Sequence, residues 1–512
     1  MLGKQNGEIT YFDDKGAIAM RESGILMHIT SLPGPYGIGT MGKSAYSFVD
    51  FLKKAGQSCW QILPLTPTSY GDSPYQSCST YAGNHYLIDL DMLVEEGLLK
   101  EEELSAIAWC ERENKVDYGI QYRNRLNVLR LAYGRFESNE DFVNFCRDNG
   151  SWLSDFALFM ALKDANDGKP WYQWDTALKV REPNAIWDAR RKLRDEVSFY
   201  SFVQYLFRKQ WTALRTYAHE NGIRIIGDVP IYVPLDSADV WSNPELFQLN
   251  ADLTPTAVAG CPPDAFSEDG QLWGNPLYRW ELMSRRGYSW WINRLAAAGK
   301  LYDVIRLDHF RGFESYWAVP AGDKTAAGGA WEKGPGLDFV QAIQTALPEL
   351  DFIAEDLGYM TPEVKQLLAD SGYPGMKVMQ FAFDSREDSD YLPHNYPVNS
   401  VCYAGTHDNL TMQQWFQEAA KDDVAYAKEY LGLNSEEGMV WGVIRACMGS
   451  VSKLCIIQMQ DYLELGGEAR MNFPGTLSSA NWTWRAAEGF DSDKLAKKIR
   501  KMTGLYGRLK KV

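Results

Sequence analysis

Little in this sequence points to redox, metal, phosphate or nucleophilic-serine chemistry. Its eight cysteines form no CxxC pair, and several sit in apolar runs such as Ser400-Val401-Cys402-Tyr403. They read as reduced core residues rather than as a disulfide framework. There is no GxGxxG after a strand, no Walker-type loop, no HExxH and no EF-hand loop, and the nucleophile elbow GxSxG is also missing. No metal and no cofactor is therefore implied. Long apolar runs are lacking as well. Nothing approaches the roughly 18 uninterrupted apolar residues of a membrane span, and Met1-Leu2-Gly3-Lys4-Gln5-Asn6-Gly7-Glu8 has no signal-peptide core. The chain is expected in the cytoplasm, with no membrane partner. Positive charge is short too: 52 Lys and Arg against 67 Asp and Glu leave a net charge of -15. That balance excludes a sequence-independent nucleic-acid binder, which needs clustered cations to neutralise phosphates.

Aromatic residues are plentiful, at 13% of the chain with 18 Trp and 28 Tyr. Flat rings of this kind pack against sugar faces as well as filling cores. At 512 residues the chain exceeds the roughly 250 to 300 at which one core stops growing, so it is several domains or one barrel with large insertions.

Eight short apolar runs alternate with helical stretches. They begin at Gly24-Ile25-Leu26-Met27-His28 and Ser58-Cys59-Trp60-Gln61-Ile62, continue with Ile223-Arg224-Ile225-Ile226 and Asp303-Val304-Ile305-Arg306-Leu307, and go on to Asp351-Phe352-Ile353-Ala354 and Gly375-Met376-Lys377-Val378. Val401-Cys402-Tyr403 and Leu454-Cys455-Ile456-Ile457 complete the series. Eight strands with intervening helices predict the α/β class and a single (β/α)8 barrel over 1–512. Charged, amphipathic stretches predict a mainly helical insertion over 65–222 after the second strand. A second insertion, over 231–301 after the third strand, holds two Pro/Gly-rich segments around residues 259–266 and 271–278, read as loops over a pocket. Too little chain follows the eighth strand for a C-terminal β-sandwich.

In a barrel of this type the functional groups stand where strands end. Asp228, Asp308, Glu355 and Asp408 all fall there. Alternation puts Arg306 and Asp308 on one face, and the guanidinium is expected to keep Asp308 ionised. Glu355 follows apolar Ile353 and Ala354 and precedes Asp356, surroundings that raise a carboxyl pKa and suit a general acid. One ionised and one protonated carboxyl flanking a scissile bond is the requirement of glycoside chemistry. Asp408, in Thr406-His407-Asp408-Asn409, reads equally as a turn-forming residue.

The motifs Pro74-Tyr75-Gln76, Gly227-Asp228-Val229-Pro230, Trp273-Gly274-Asn275-Pro276, Arg306-Leu307-Asp308-His309, Ala354-Glu355-Asp356-Leu357, Gly405-Thr406-His407-Asp408-Asn409 and Asn481-Trp482-Thr483-Trp484-Arg485 together resemble glycoside hydrolase family 77, the 4-alpha-glucanotransferases, nearly end to end. The resemblance implies a retaining transfer of alpha-1,4-glucan segments between maltooligosaccharides or to glucose. Asp308 would be nucleophile, Glu355 general acid/base and Asp408 the third carboxylate. It implies substrate-binding roles for Tyr75, Asp228, Asp264, Phe266, Trp273, Arg306 and His407. Cys261 and Ala265 depart from the Val and Tyr common in the family's lid. An alpha-amylase-type hydrolase and a non-catalytic glucan-binding protein are the competing readings, and the oligomeric state is left open.

Overall fold

The computed structural model describes residues 4–5, 8–9, 21–69, 71–263, 268–386 and 389–510. Eight parallel strands close into one barrel. They are β1 (Glu22–Leu26), β2 (Cys59–Gln61), β3 (Arg224–Val229), β4 (Val304–Leu307), β5 (Asp351–Ala354), β6 (Gly375–Val378), β7 (Ser400–Tyr403) and β8 (Leu454–Gln458). All eight coincide with the apolar runs of the sequence. Closure is made by β8 against β1, with Leu454 opposite Glu22 and Gln458 opposite Leu26.

The helix Lys43–Lys54 between β1 and β2 buries Ala45, Phe48, Val49 and Leu52, one face at helical spacing. Its Phe48 meets Trp60 of β2 edge to face, with ring centroids 5.0 Å apart. Between β2 and β3 the chain is mainly helical and ends in the 27-residue helix Arg194–Glu220. Two glutamines of that helix clamp an earlier loop. Gln204 receives Gly83 N–H at 2.7 Å and donates to Gly83 C=O at 3.0 Å, and Gln210 does the same to Asp89 at 2.7 and 3.0 Å. Each amide imitates a strand partner and satisfies both backbone groups of the residue it holds. The clamps steady the chain just past Tyr75.

The segments around 259–266 and 271–278 are not both loops, as the sequence reading expected. Ala257–Cys261 and Gln271–Pro276 are antiparallel strands in a four-stranded sheet with Ser315–Pro320 and Ala330–Lys333. Their Gly and Pro content hides the two-residue period, and the register shifts between Val258 and Gly260. The sheet stands beside the mouth of the barrel. After β8 come a short helix, Met459–Tyr462, and the helix Asp493–Leu505 packed against Lys43–Lys54, with no β-sandwich among the described residues. No helix there is long and apolar enough to cross a membrane.

One glycine sets the spacing between β3 and β4. A Cβ on Gly227 would lie 2.1 to 2.3 Å from the ring of Tyr302, whose hydroxyl accepts Leu65 N–H at 3.1 Å. Gly227→Ala is expected to destabilise the fold by about 1–3 kcal/mol or more, the cost of overpacking a filled core, read as a lower midpoint in chemical denaturation.

Candidate active site

The acids gather at the C-terminal mouth of the barrel. Asp308 directly follows β4, Glu355 directly follows β5, and Asp408 lies in the loop after β7. All three border a cleft of about 620 Å³ that also exposes Tyr75, Tyr232, Trp273 and Trp482.

A chain of contacts fixes Asp308. Arg306, pointing inward from β4, donates through one Nη1 to Asp308 Oδ1 at 3.0 Å and to Asp228 Oδ2 at 2.7 Å. Arg306 and the Asp228 carboxylate are 3% and 1% exposed, whereas that of Asp308 is 25% exposed. Asp228 Oδ2 also accepts the Tyr75 hydroxyl at 2.7 Å. Because that hydroxyl has only one proton, His407 Nε2, 2.9 Å from Tyr75 Oη, is the donor in their contact. Asp228, Arg306 and His407 therefore sit behind the cleft wall and address the acids and Tyr75. The ring of Tyr75 stacks on His407 at 5.3 Å and 13°.

Glu355 is held by backbone. His309 N–H donates to its Oε2 at 2.7 Å and Leu357 N–H to its Oε1 at 2.8 Å. His309 reaches it from a left-handed conformation, φ 51°, which costs energy for a residue with a Cβ and recurs at functional sites. The His309 ring meets Trp273 edge to face at 4.9 Å.

Asp408 is not the turn former of its loop. Asn409 Oδ1 takes the turn bonds, from Thr406 N–H at 2.8 Å and Thr406 hydroxyl at 2.9 Å. That leaves the Asp408 carboxylate 41% exposed to the cleft, with His407 Nε2 3.3 Å from its Oδ2. Asn472 Nδ2 donates to its Oδ1 at 2.7 Å, a contact the sequence reading missed. No local signal marks it, since Asn472 lies 64 residues along the chain from Asp408. Asp264 and Phe266 lie outside the described residues.

The electrostatics correct one expectation. Burial, opposed by Arg306 and reinforced by Asp228, Glu355 and Asp408, pushes the Asp308 carboxyl up to about 7. One guanidinium shared with Asp228 does not outweigh desolvation plus three like charges. Burial raises Glu355 as well, as expected, against Arg306 and its two backbone donors. The two carboxyls titrate as a pair. Of the two, Asp308 alone accepts a hydrogen bond from Arg306, whereas Glu355 accepts two from backbone N–H groups. Burial would also raise Asp408, but His407, Asn472 and Arg306 together hold it well below the usual carboxylate range. One cleft thus contains an acid held ionised and two whose carboxyl pKa values are raised.

Asp228→Asn tests this balance. The Asp228 charge raises Asp308, so neutralising it is expected to move the acid limb of the kcat/KM profile to lower pH, by roughly one unit. Loosening of Arg306 and Tyr75 is expected to cost on the order of 10²-fold in kcat.

A family model described as 4-alpha-glucanotransferase matches residues 27–490. The 4-alpha-glucanotransferase of Clostridium butyricum is 49% identical over 486 residues, which cover 94% of this chain and 100% of that protein. That of Thermus thermophilus is 47% identical over 502 residues, covering 96% and 99%. Among solved structures, the amylomaltase from Streptococcus agalactiae in complex with acarbose is similar at a TM-score of 0.93 and 42% identity, covering 96% of this chain and 100% of that one.

Proposed function

Because this chain belongs to the 4-alpha-glucanotransferase family, we propose that it transfers glucan segments by a double displacement in which Asp308 is the nucleophile and Glu355 the acid and base. Glucan transfer is the activity of the family. The assignment of steps to residues rests on one observation: Asp308 and Glu355 end adjacent strands of the barrel and border the same cleft.

Glu355 in its protonated form gives its proton to the glycosidic oxygen while Asp308 attacks the anomeric carbon. The reducing-end fragment leaves, and a covalent glucosyl-enzyme of inverted configuration remains. Glu355, now a carboxylate, removes the proton from the 4-hydroxyl of an incoming glucan, which attacks the intermediate and restores the alpha configuration. Arg306 holds Asp308 in line and stabilises its charge before attack. Asp408, ionised throughout, accepts hydrogen bonds from sugar hydroxyls of the donor and favours ring distortion. Tyr75 offers its ring beneath the transferred sugar, with His407 and Asp228 fixing its tilt, and Trp273 lines the wall beside His309. The acarbose complex of the Streptococcus agalactiae amylomaltase supports maltooligosaccharides as donors, with maltooligosaccharides or glucose as acceptors. Asp264 and Phe266 are proposed to contact the glucan, as the family resemblance implies.

The purified protein incubated with maltotriose alone is expected to give glucose and a ladder of longer maltooligosaccharides. Glucose and maltose without longer products would replace transfer by hydrolysis, and no turnover would favour a glucan-binding protein.

A further inference from the structure

A second groove, of about 380 Å³, opens on the flank of the barrel and shares no lining residue with the cleft. It lies among the helices Gly150–Ala165, Arg194–Glu220, Ala238–Ser242 and Ser289–Gly299. Tyr81 and Trp152 line it as near-parallel rings, 6.1 Å between centroids and 13° between planes. The indole N–H of Trp152 is already committed to Asn149 Oδ1 at 3.2 Å, so what that ring has left to offer is its face.

The charges in the groove are unevenly matched. Each of its carboxylates is engaged: Asp155 by Arg181 and Arg190, both at 2.9 Å, Asp148 by Arg147 at 2.9 Å, and Asp239 by the amide and hydroxyl of Thr80 at 2.9 and 2.8 Å. The cations are not. Among the described residues Arg208 and Lys300 form no ion pair, and the charged or ionisable groups felt by Arg208 are Tyr302 and Arg215 rather than a carboxylate. Arg208 and Lys300 both line the groove, and Arg215, two turns along the helix from Arg208, bonds the carbonyl of Lys300 at 3.3 Å. Arg208 is half-buried. Its guanidinium is held below its usual pKa by burial and by Arg215, a cost that a bound anion would relieve. Asn293, also lining the groove, bonds no protein group through its amide among the described residues.

We propose that this groove is a binding site for a phosphorylated monosaccharide, its phosphate between Arg208 and Lys300 and its sugar ring against the faces of Tyr81 and Trp152. An aromatic face recognises the apolar side of a pyranose, the polar rim takes its hydroxyls, and a guanidinium with an ammonium is the usual pairing for a phosphate.

Glucose 1-phosphate titrated into the full-length protein at low ionic strength, followed by calorimetry, tests the site. Binding is expected. The double variant Arg208→Gln, Lys300→Gln is expected to weaken it roughly tenfold or more, the loss of two charge-assisted contacts. Trp152→Ala is expected to weaken glucose 1-phosphate while leaving inorganic phosphate unchanged. Glucose alone should bind far more weakly than its phosphate. Maltotriose transfer rates of both variants should match the parent protein, since neither change touches the cleft. The proposal is overturned by an absence of heat with the parent protein, by undiminished affinity in the double variant, or by inorganic phosphate or glucose binding as tightly as the sugar phosphate.

Discussion

Asp308→Asn is expected to lower maltotriose transfer by about 10⁴-fold or more, since an amide of the same shape cannot attack the anomeric carbon and residues acting as a unit fail together. The same change is expected to make the protein harder to unfold at alkaline pH. The folded-state pKa of Asp308 is raised from 3.8 to about 7, so its contribution to stability is fully present below the unfolded value and is lost as pH rises toward 7. The asparagine escapes that loss. Its melting temperature should exceed that of the parent protein at pH 8, with the gap narrowing toward pH 5 and closing below about pH 4. A variant that is inactive and also less stable at pH 8 would mean that Asp308 serves the fold through Arg306 more than it serves the chemistry.

Glu355→Gln is expected to separate the two half-reactions. Without a general acid, maltotriose turnover should fall by about 10²–10⁴-fold. An alpha-maltosyl fluoride donor needs no protonation of its leaving group, so the first displacement should proceed at close to the normal rate. The second displacement then lacks its base, and a maltosyl adduct on Asp308 should accumulate and appear in intact-protein mass spectra. A loss with the fluoride as deep as the loss with maltotriose would remove Glu355 from the role of acid.

The barrel was legible because each of its strands is buried on both faces and reads as a short apolar run, with the acid set at or beyond the strand's end. Ile305, Leu307, Ile353 and Ala354 are almost fully buried, and the polarity changes at the next residue. The sheet beside the mouth was not legible. Trp273 and Leu272 face a half-open cleft rather than a core, and Gly260 and Pro276 interrupt the alternation that marks a strand. The acids could be named from their places along the chain, but their protonation could not, because Asp308 is set by its burial in the assembled mouth and by Asp228, Glu355 and Asp408, which arrive from three other strands. The same reason hid Asn472, which is 64 residues from the carboxylate it holds. Which of Asp408 and Asn409 closes the turn also depended on what stood opposite them.

Closure of the barrel by β8 against β1 carries a consequence for the protein during its synthesis. Glu22–Leu26 must wait for Leu454–Gln458, the most distant pairing in the barrel, so no ribosome-bound chain ending before β8 can satisfy the open side of β1. Through nearly the whole of translation an apolar parallel edge stays without its partner, the situation in which strands pair with the wrong chain. Nascent chains stalled just before β8 should therefore be held by chaperones or aggregate. Release of the last strand, together with the helix Asp493–Leu505 that packs on Lys43–Lys54, should convert the whole sheet in a single late step.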